Sequence, residues 1–199
     1  MMTQNENKEV GSVVRCAWVT NDPIYIDYHD NEWGMPIYDN HRLFEFLILE
    51  GAQAGLSWLT VLKKRDNYRA CFDNFDPHKI ACYDLKKIDE LVNNPGIIRN
   101  RLKIAATVTN AKAYLKLLEE GIDFSEYLWH FVQGEPIINH WESIKQLPSQ
   151  TSISDSLSKD LKHHGFKFVG STICYALMQA VGMVNDHTRD CIARCMSTH

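Results

Sequence analysis

The stretch LFEFLILEGAQAGLSW, residues 43–58, decides how the chain is organised, because it places a carboxylate where an apolar helix face should continue. Leu43, Leu47 and Glu50 fall at i, i+4 and i+7, so Glu50 points the same way as the buried positions before it. Glutamate is rarely buried unless it has a partner. Two interpretations stay open: Glu50 faces a pocket that receives a flat polar ring, or it reaches solvent or pairs with a lysine.

The residues after Glu50 predict that the helix is interrupted. Residues 51–55 read GAQAG, and small residues with two glycines let a backbone bend or approach another group closely. Leu56 and Trp58 follow and supply an apolar wedge and an indole. A carboxylate, a small-residue bend and two large apolar side chains therefore lie together at one predicted helix end.

Length and composition predict a single domain. The chain has 199 residues, 45% of them hydrophobic, which is enough for one buried core. Residues 1–14 are polar and are predicted to form a loose leader, with the domain at 15–199. No run approaches the ~18 apolar residues of a membrane span, and no signal peptide is recognisable. We therefore expect a monomeric cytoplasmic protein whose six cysteines are free thiols or metal ligands.

The charge balance gives no overall basic footprint. The net charge is −4, which counts against binding of nucleic acid by bulk electrostatics but leaves room for a local basic face. The basic cluster at residues 63–65 is one candidate for such a face. It could equally be a solvated helix surface, as most charge runs are.

Helical periodicity and capping residues predict an all-α chain. A helix capped by Asp39 or Asn40 carries Glu50, and a long helix spans about residues 98–118. Residues 16–34 are aromatic and rich in Asp, Asn and Pro, and are predicted to be irregular. Further helices are predicted at about 58–74, after the caps Asp76 and Asp84, at 124–132, at 152–164 after a cap at Ser152 or Ser154, and at 171–183.

A possible metal site involves both ends of the chain. His187 and Cys191 are spaced i, i+4, and on one helix face they could meet a single ion. Cys16 and His29 could supply the other pair of a Cys2His2 set suited to tetrahedral zinc. Alternatively, Cys195 lies one turn further along the same face, and Cys16 and His29 are simply packed. A structural metal here would offset the cost of closing a very long loop.

The C-terminal part contains a helix, a glycine-bounded hairpin and a second helix in residues 154–186, SDSLSKDLKHHGFKFVGSTICYALMQAVGMVND. Gly165 and Gly170 bound the hairpin, and the second helix begins just after it. Backbone N–H groups at a helix N-terminus form a natural phosphate seat, to which Lys167 adds positive charge. Many helix pairs also turn on a glycine without binding anything.

Together these stretches closely resemble the bacterial DNA-3-methyladenine glycosylase I family of the helix-hairpin-helix glycosylase superfamily. The resemblance runs from about Arg15 to Cys191. The stretches that carry it are RCAWV, DPIYIDYHDNEWG, LEGAQAGLSWLTVLKKRDNYRACF, GIIRNR and GFKFVGSTICYALMQAVGMVNDH.

The resemblance implies a fold, an activity and a set of site residues. The fold is a compact helical one with the helix-hairpin-helix at roughly residues 154–183, and one structural zinc ion tethers the termini. The activity is hydrolytic removal of a flipped 3-methyladenine from alkylated double-stranded DNA, with the free base as product. In the base pocket the resemblance implies Glu50 for hydrogen bonding to the base, and Tyr28 and Trp58 as stacking or edge partners with Trp18 and Tyr25 nearby. For the DNA it implies Gly55 and Leu56 in the duplex gap, and Gly165, Lys167 and Gly170 on the DNA backbone. The implied zinc ligands are Cys16, His29, His187 and Cys191.

Two departures from the wider superfamily bear on the mechanism. Asn185 stands where many members carry a catalytic aspartate, with Asp186 one residue out of register. Ser171 and Thr172 stand where bifunctional members carry a Schiff-base lysine. The sequence thus predicts a monofunctional glycosylase. Two alternatives are a non-catalytic sensor of alkylated DNA or base with the same fold, and a zinc-stabilised interaction module that does not touch DNA.

Overall fold

A computed structural model describes residues 13–194. Residues 1–12 of the predicted leader and Cys195 therefore lie outside the described residues. The helices are α1 (Pro23–Asn31), α2 (Asn40–Gln53), α3 (Trp58–Leu62), α4 (Arg65–Cys71), α5 (Pro77–Ala81), α6 (Leu85–Asn93), α7 (Arg101–Glu119), α8 (Phe124–His130), α9 (Ser152–His163) and α10 (Ser171–Ala180), with 3-10 turns at Asp73–Phe75 and Ile144–Gln146. Within the described range, no helix is both long and apolar enough to cross a membrane.

The prediction of an all-α chain is confirmed in its main feature, with one small addition. Two strands of two residues each, β1 (Ile137–Ile138) and β2 (Val184–Asn185), pair in parallel, with Ile137 opposite Val184. This pair joins the loop before α9 to the segment after α10. It therefore helps to fix the residues that lead into His187.

Helix α2 lies at the centre of the core, which explains its apolar run. Leu43, Phe44 and Leu49 are completely buried, and α2 packs against α3, α7, α8 and α10. Its N-cap is Asp39, whose carboxylate accepts a 2.8 Å hydrogen bond from the Arg42 backbone N–H. The predicted caps Asp76 and Asp84 act in the same way on α5 and α6.

The predicted interruption directly after Glu50 is wrong. Helix α2 continues through Gly51 to Gln53, and the turn begins only at Ala54. A Cβ atom added to Gly51 would lie 3.4 Å from the Cβ of Phe168, in the hairpin before α10. That distance is an ordinary van der Waals contact, so the helix packs against the hairpin at Gly51 without requiring glycine there, while Gly55, with φ +78°, makes the actual turn.

The predicted helix over residues 58–74 is also wrong, because the structure divides it into α3 and α4. Lys63 Nζ lies 2.5 Å from the Asp22 carboxylate, and Arg65 donates hydrogen bonds of 2.6 and 2.7 Å to Glu32. These pairs bind the junction between α3 and α4 to α1 and to its cap. The basic cluster is thus partly used within the fold and does not form a continuous solvated helix face.

Two further local predictions need correction. The segment from residue 16 to 34 was predicted to be irregular, but α1 forms inside it, capped by Asp22 and with Pro23 in its first turn. The cap of α9 is Thr151, instead of Ser152 or Ser154. Ser154 contributes the reciprocal half of this capping box, since its hydroxyl oxygen accepts a 2.8 Å hydrogen bond from the Thr151 N–H.

Candidate active site and metal centre

A cavity of about 200 Å³ opens beside the last turns of α2. Its wall is mainly aromatic, and it brings together all five side chains that the resemblance implies for the base pocket. The lining residues are Trp18, Tyr25, Tyr28, Trp33, Glu50, Gln53, Trp58, Leu147, Ala176 and Gln179.

Glu50 is the acidic group of this cavity. Its side chain is only 3% exposed, and none of the described residues donates a hydrogen bond to its carboxylate. Burial therefore raises the pKa of Glu50 from 4.5 to about 8. The interpretations in which Glu50 reaches solvent or pairs with a lysine are wrong. A buried carboxyl group that faces a cavity without a partner is arranged for a ligand that donates hydrogen bonds or carries positive charge.

The aromatic residues form two groups around Glu50. The rings of Tyr28 and Trp58 lie 5.3 Å apart between centroids, and those of Trp18 and Tyr25 lie 4.9 Å apart. Burial, followed by the charge of Glu50, raises the pKa of both tyrosines, so their hydroxyl groups stay protonated. The Trp58 indole N–H is buried and has no hydrogen-bond partner within the described part of the chain. A buried N–H without a partner is uncommon, and here it lies on a residue of the cavity wall.

Sequence reasoning did not assign Trp33, Gln53, Leu147, Ala176 and Gln179 to the pocket. Trp33 belonged to the aromatic segment and could have been included on that ground. Gln179 lies on α10 and donates a 2.8 Å hydrogen bond from Nε2 to Asp186. No local pattern marks Gln179 or Leu147, because they reach the cavity from distant parts of the chain.

Asp186 is a buried anchor whose two carboxylate oxygens are both occupied. Oδ1 and Oδ2 accept two hydrogen bonds each, of 2.7 to 2.8 Å. The donors are Asn139, Trp141, Tyr175 and Gln179. Its neighbour Asn185 lies in β2, donates to the Arg194 carbonyl and accepts from the His187 N–H, both at 3.2 Å. Both residues therefore hold the C-terminal segment together and are not exposed in the cavity.

The four predicted metal ligands form one buried cluster. Their ligand atoms all lie within 4.8 Å of one another. The Cys191 sulfur is 3.3 Å from His29 Nε2 and 3.4 Å from His187 Nδ1, and the Cys16 sulfur is 3.6 Å from His187 Nδ1. Tetrahedral zinc with ordinary Zn–N and Zn–S bond lengths separates N and S ligands by roughly 3.5 Å. Ligand types and spacing therefore both fit a tetrahedral metal ion.

The helix predicted to carry His187 and Cys191 is wrong. This segment is a turn, in which the Cys191 N–H donates a 3.0 Å hydrogen bond to the Thr188 carbonyl. The turn brings the two side chains together as effectively as one helical turn would. Spacing alone could not distinguish the two conformations.

Both histidines of the cluster are oriented through their second ring nitrogen. His29 Nδ1 lies 2.7 Å from Asp30 Oδ1, and Arg15 in turn donates to the same carboxylate. His187 Nε2 lies 3.1 Å from the carbonyl oxygen of Trp33, a residue of the cavity wall. Such partners fix the ring orientation of metal-bound histidines. The metal cluster and the aromatic cavity are thus adjacent parts of one structure.

Two further predicted segments lie at the edge of the cavity and on the C-terminal hairpin. Leu56 is 40% exposed, and its carbonyl accepts a 3.1 Å hydrogen bond from the side chain of Gln53. In the hairpin Gly165 has φ +92°, which only glycine adopts without strain, and Lys167 is exposed. Gly170 has an ordinary φ of −63° and is the N-cap of α10. Because no side chain caps α10, the helix N-terminus that follows Gly170 has backbone N–H groups without a capping partner.

Comparisons with known proteins show which proteins this chain is similar to. The family model described as methyladenine glycosylase matches residues 18–194. DNA-3-methyladenine glycosylase 1 of Escherichia coli K12 is 54% identical over 177 residues, which are 89% of this chain and 95% of that protein. A crystal structure of 3-methyladenine DNA glycosylase I superposes with a TM-score of 0.89 at 54% identity, over 90% of this chain and 98% of the other. A variant of 3-methyladenine DNA glycosylase I in complex with 3-methyladenine gives 0.87 at 39% identity, over 90% and 97%.

Proposed function

The chain belongs to the methyladenine glycosylase family, and from this we propose that it removes 3-methyladenine from alkylated DNA by hydrolysing the N-glycosidic bond. The observation that carries this proposal is the unpartnered Glu50 carboxyl group inside an aromatic cavity. Its partners in this role are damaged double-stranded DNA and the released base. The activity makes it a DNA repair enzyme of the base-excision type.

The substrate's own chemistry explains why so few catalytic groups are needed. An adenine alkylated on a ring nitrogen is positively charged while it is attached to the sugar, and this charge weakens its glycosidic bond. The base leaves with the bonding electrons and becomes neutral. Water adds its oxygen to the sugar carbon and loses a proton to solvent. The enzyme therefore need not protonate a leaving group, and its task is to extrude, recognise and orient the base.

Glu50 is suited to select the charged base. Burial keeps the pKa of the empty site near 8, so the carboxyl group is mostly protonated at neutral pH. A cationic ring beside it favours the ionised form, because opposite charges attract strongly where water is excluded. An undamaged, neutral adenine gives no such compensation. Binding of the lesion and ionisation of Glu50 thus reinforce each other.

The surrounding aromatics contribute packing and cation–π attraction. Tyr28 and Trp58 offer ring faces or edges to the base, with Trp18 and Tyr25 completing the wall. The Trp58 N–H has no partner among the described residues, but it is buried and not exposed to the cavity, so we assign it no hydrogen bond to the base. Recognition therefore combines a charge-sensitive acceptor with an aromatic enclosure.

Two surface segments are assigned to the duplex. Leu56, on the turn after α2, would occupy the gap that the extruded base leaves, and Gly55 lets the turn approach the duplex closely. The hairpin from Gly165 to Gly170 would bind the DNA backbone through the uncapped N-terminus of α10, with Lys167 adding charge. Residues 54–57 are called the wedge loop, and residues 165–170 are called the hairpin.

The protein is proposed to be monofunctional. Ser171 and Thr172 begin α10 in place of a Schiff-base lysine. The hydrogen bonds of Asp186 and Asn185 leave neither as the water-activating group that an aspartate supplies elsewhere in the superfamily. A borohydride-trapped covalent adduct with an abasic duplex would contradict this assignment.

The Cys2His2 cluster is proposed to bind one structural zinc ion. Four protein ligands at tetrahedral spacing leave no position for a water molecule, which argues against a catalytic metal. When bound, the ion supplies a cross-link between the two ends of the domain. The domain bounds 15–199, the monomeric state and a cytoplasmic location stay predictions.

The decisive experiment compares base release from methylated duplex DNA by wild type, Glu50→Gln and Glu45→Gln, resolved by chromatography. Glu45 is buried on the same helix but is paired with Arg69 at 2.8 Å, so it is a matched control outside the cavity. Wild type should free 3-methyladenine and leave 7-methylguanine in the DNA. Glu50→Gln should reduce release by at least about tenfold, while Glu45→Gln, once folded, should retain it.

Two results would contradict the proposal. If folded, metal-loaded wild type binds alkylated DNA or free base but releases nothing, the protein is the non-catalytic sensor. If Glu50→Gln releases and binds 3-methyladenine as wild type does, Glu50 has no part in recognition.

A further inference from the structure

Helix α7 holds both segments that are assigned to DNA, through two side chains on one face. Lys103 Nζ donates hydrogen bonds of 2.8 and 2.6 Å to the carbonyl oxygens of Ala52 and Ala54. Asn110 Nδ2 donates at 3.0 Å to the carbonyl of Lys167, and Asn110 Oδ1 accepts at 2.7 Å from the N–H of the same residue. The first contact fixes the start of the wedge loop, and the second fixes the hairpin.

The Lys103 contacts add to the hydrogen bonds that Leu56 makes with the backbone and side chain of Gln53. Carbonyl groups at the C-terminus of a helix lack intrahelical partners, and an ammonium group satisfies them with charge-assisted bonds. A Cβ on Gly55 would meet nothing within 4 Å, so packing does not define the loop tip. Partial burial lowers the pKa of Lys103, as expected for an ammonium group that is used inside the fold. Lys103 thus acts together with Gln53 to set the direction in which Leu56 leaves α2.

The Asn110 contacts hold the hairpin in a conformation that it would not adopt freely. Asn110 is 3% exposed and binds both backbone groups of Lys167, which is as much as one amide side chain can do for one residue. The next residue, Phe168, has φ +55°, a strained value for a bulky side chain. Fixing Lys167 therefore also fixes the strained turn that follows it.

The two contacts converge on the same small region of the core. Gly51, Lys103, Asn110 and Phe168 all line one narrow cavity of about 10 Å³. Lys103 and Asn110 are seven residues apart, which is two turns, or roughly 10 Å, along one helix face. Because a helix is stiff, the distance between the two held segments is set by α7.

We propose that Lys103 and Asn110 are positioning residues that hold the wedge loop and the hairpin at one fixed spacing on α7. The hairpin then binds the DNA backbone at the place where the wedge loop enters the duplex, so that backbone binding and base extrusion act on the same nucleotide. This inference rests on the proposed function. Neither residue touches the base cavity, which distinguishes their role from that of Glu50.

The test measures two properties of Lys103→Met, Asn110→Ala and the double variant. The first is single-turnover release of 3-methyladenine from duplex DNA, and the second is affinity for the free base, followed by tryptophan fluorescence. Each single variant should lower release by about tenfold, equivalent to ~1.4 kcal/mol, and leave free-base affinity within about twofold. Lys112→Met is the matched control, because it removes a lysine from the exposed side of the same helix. It should behave as wild type.

Two further readouts separate positioning from other roles. If Lys103 bound a phosphate directly, its loss would reduce the salt dependence of DNA binding by about one ion, and this would overturn the proposal for Lys103. Independent residues at this distance would give multiplicative losses. A shared spacing predicts that the double variant is no more than a few-fold worse than either single variant, so a fully multiplicative loss would contradict the inference.

The remaining outcomes are also decisive. A parallel loss of free-base affinity would show that the residues support the cavity or the fold in general, against the proposal. If Lys103→Met does not fold, Lys103→Gln replaces it, since the shorter amide cannot reach both carbonyls. Failure of the proposed function itself would be seen separately, as absence of base release by wild type.

Discussion

Glu50 combines a functional advantage with a cost in stability at a single residue. Its carboxyl group is buried without a donor, and burial raises its pKa from 4.5 to about 8. In the unfolded chain the same group ionises at its ordinary pKa. Between these two values the folded protein binds a proton that the unfolded chain has lost, so folding stability falls as pH rises. Below pH 4.5 Glu50 is protonated in both the folded and the unfolded state, so it does not affect folding stability. The loss of folding stability grows as pH rises above 4.5 and is complete once pH has passed about 8.

Glu50→Gln should therefore stabilise the protein, and increasingly so at higher pH. The amide has a similar shape but does not ionise, so the variant escapes the loss. Each pKa unit corresponds to about 1.4 kcal/mol, so the advantage of the variant should grow by at most about 3 kcal/mol between pH 5.5 and pH 8.5. In thermal melts this is a gain of roughly 5–10 °C in the difference between the two Tm values. A difference that is the same at both pH values would contradict the assignment.

Glu45→Gln provides the control for this experiment. Glu45 is also buried on α2, but its carboxylate accepts a 2.8 Å hydrogen bond from Arg69. At Glu45 the substitution breaks an ion pair, whereas at Glu50 it removes an unpaired buried carboxyl group. Glu45→Gln should therefore be less stable than wild type. Opposite signs at two buried glutamates of one helix would show that the effect comes from the unpartnered cavity and not from α2 in general.

At the residue scale the sequence predicted features that depend on the spacing of neighbouring residues along one helix. Glu50 was predicted to point inward because it continues an apolar stripe, and the structure places it in a cavity. Gln179 and Asp186 were missed as a pair, because their contact depends on how α10 and the following strand are packed. Nothing within a few residues of either one indicates it.

At the element scale capping side chains were good guides to several helix starts. Asp76 and Asp84 cap the helices that they were predicted to cap, and Asp39 caps α2 as one of the two residues predicted for it, since each satisfies N–H groups within its own turn. The cap of α9, Thr151, was not among the predicted residues. The predicted helix at residues 58–74 divides between Leu62 and Arg65, and ion pairs join this junction to the two ends of α1. The turn at His187 was missed because an i, i+4 spacing is compatible with several compact conformations. Local chemistry could thus be predicted, whereas tertiary contacts that override it could not.

The end of α10 contains an element junction that tolerates no side chain. Gly182 has φ +74°, and a Cβ there would lie 2.4 Å from the backbone of Met35 and Pro36. The same junction is held by hydrogen bonds of 3.0 Å from Gly34 N–H to the Gln179 carbonyl and 3.1 Å from Ile37 N–H to the Val181 carbonyl. Here α10 meets the segment that joins α1 to α2, two helices that both line the cavity.

Gly182→Ala should accordingly destabilise the protein severely, by more than about 3 kcal/mol, because backbone on both sides must move. Gly121→Ala is the matched control: Gly121 has φ +80° but nothing within 4 Å of its added Cβ. It should cost only about 1 kcal/mol, the penalty of a left-handed backbone. Denaturant unfolding measures both values. Similar losses in the two variants would show that backbone strain alone, and not the close approach, determines the effect.

At the scale of the whole molecule, the Cys2His2 cluster brings together the two ends of the described chain. Cys16 and His187 are 171 residues apart in sequence, yet their ligand atoms lie 3.6 Å apart. The residues alone made these four candidate ligands and left open that Cys16 and His29 are simply packed; the family resemblance implied the full set, and the conformation predicted for the C-terminal pair is wrong. The sequence could not indicate that the His187 ring also contacts the backbone of Trp33 in the cavity wall. The Cys2His2 cluster and the wall of the aromatic cavity are therefore in direct contact through His187.

Removing zinc should lower the stability of the whole domain without abolishing the chemistry of the folded protein. A cross-link that closes a loop of this length stabilises by about 4–5 kcal/mol in the chain-entropy description, which corresponds to a fall in Tm of roughly 10 °C on chelation. Cys191→Ala should show the lowered Tm with or without chelator, whereas Cys82→Ala, at an exposed thiol outside the cluster, should match wild type. Base release, measured well below the lowered Tm, should persist in the chelated protein. If chelation instead abolishes release while Tm is unchanged, the metal is catalytic and the structural assignment is wrong.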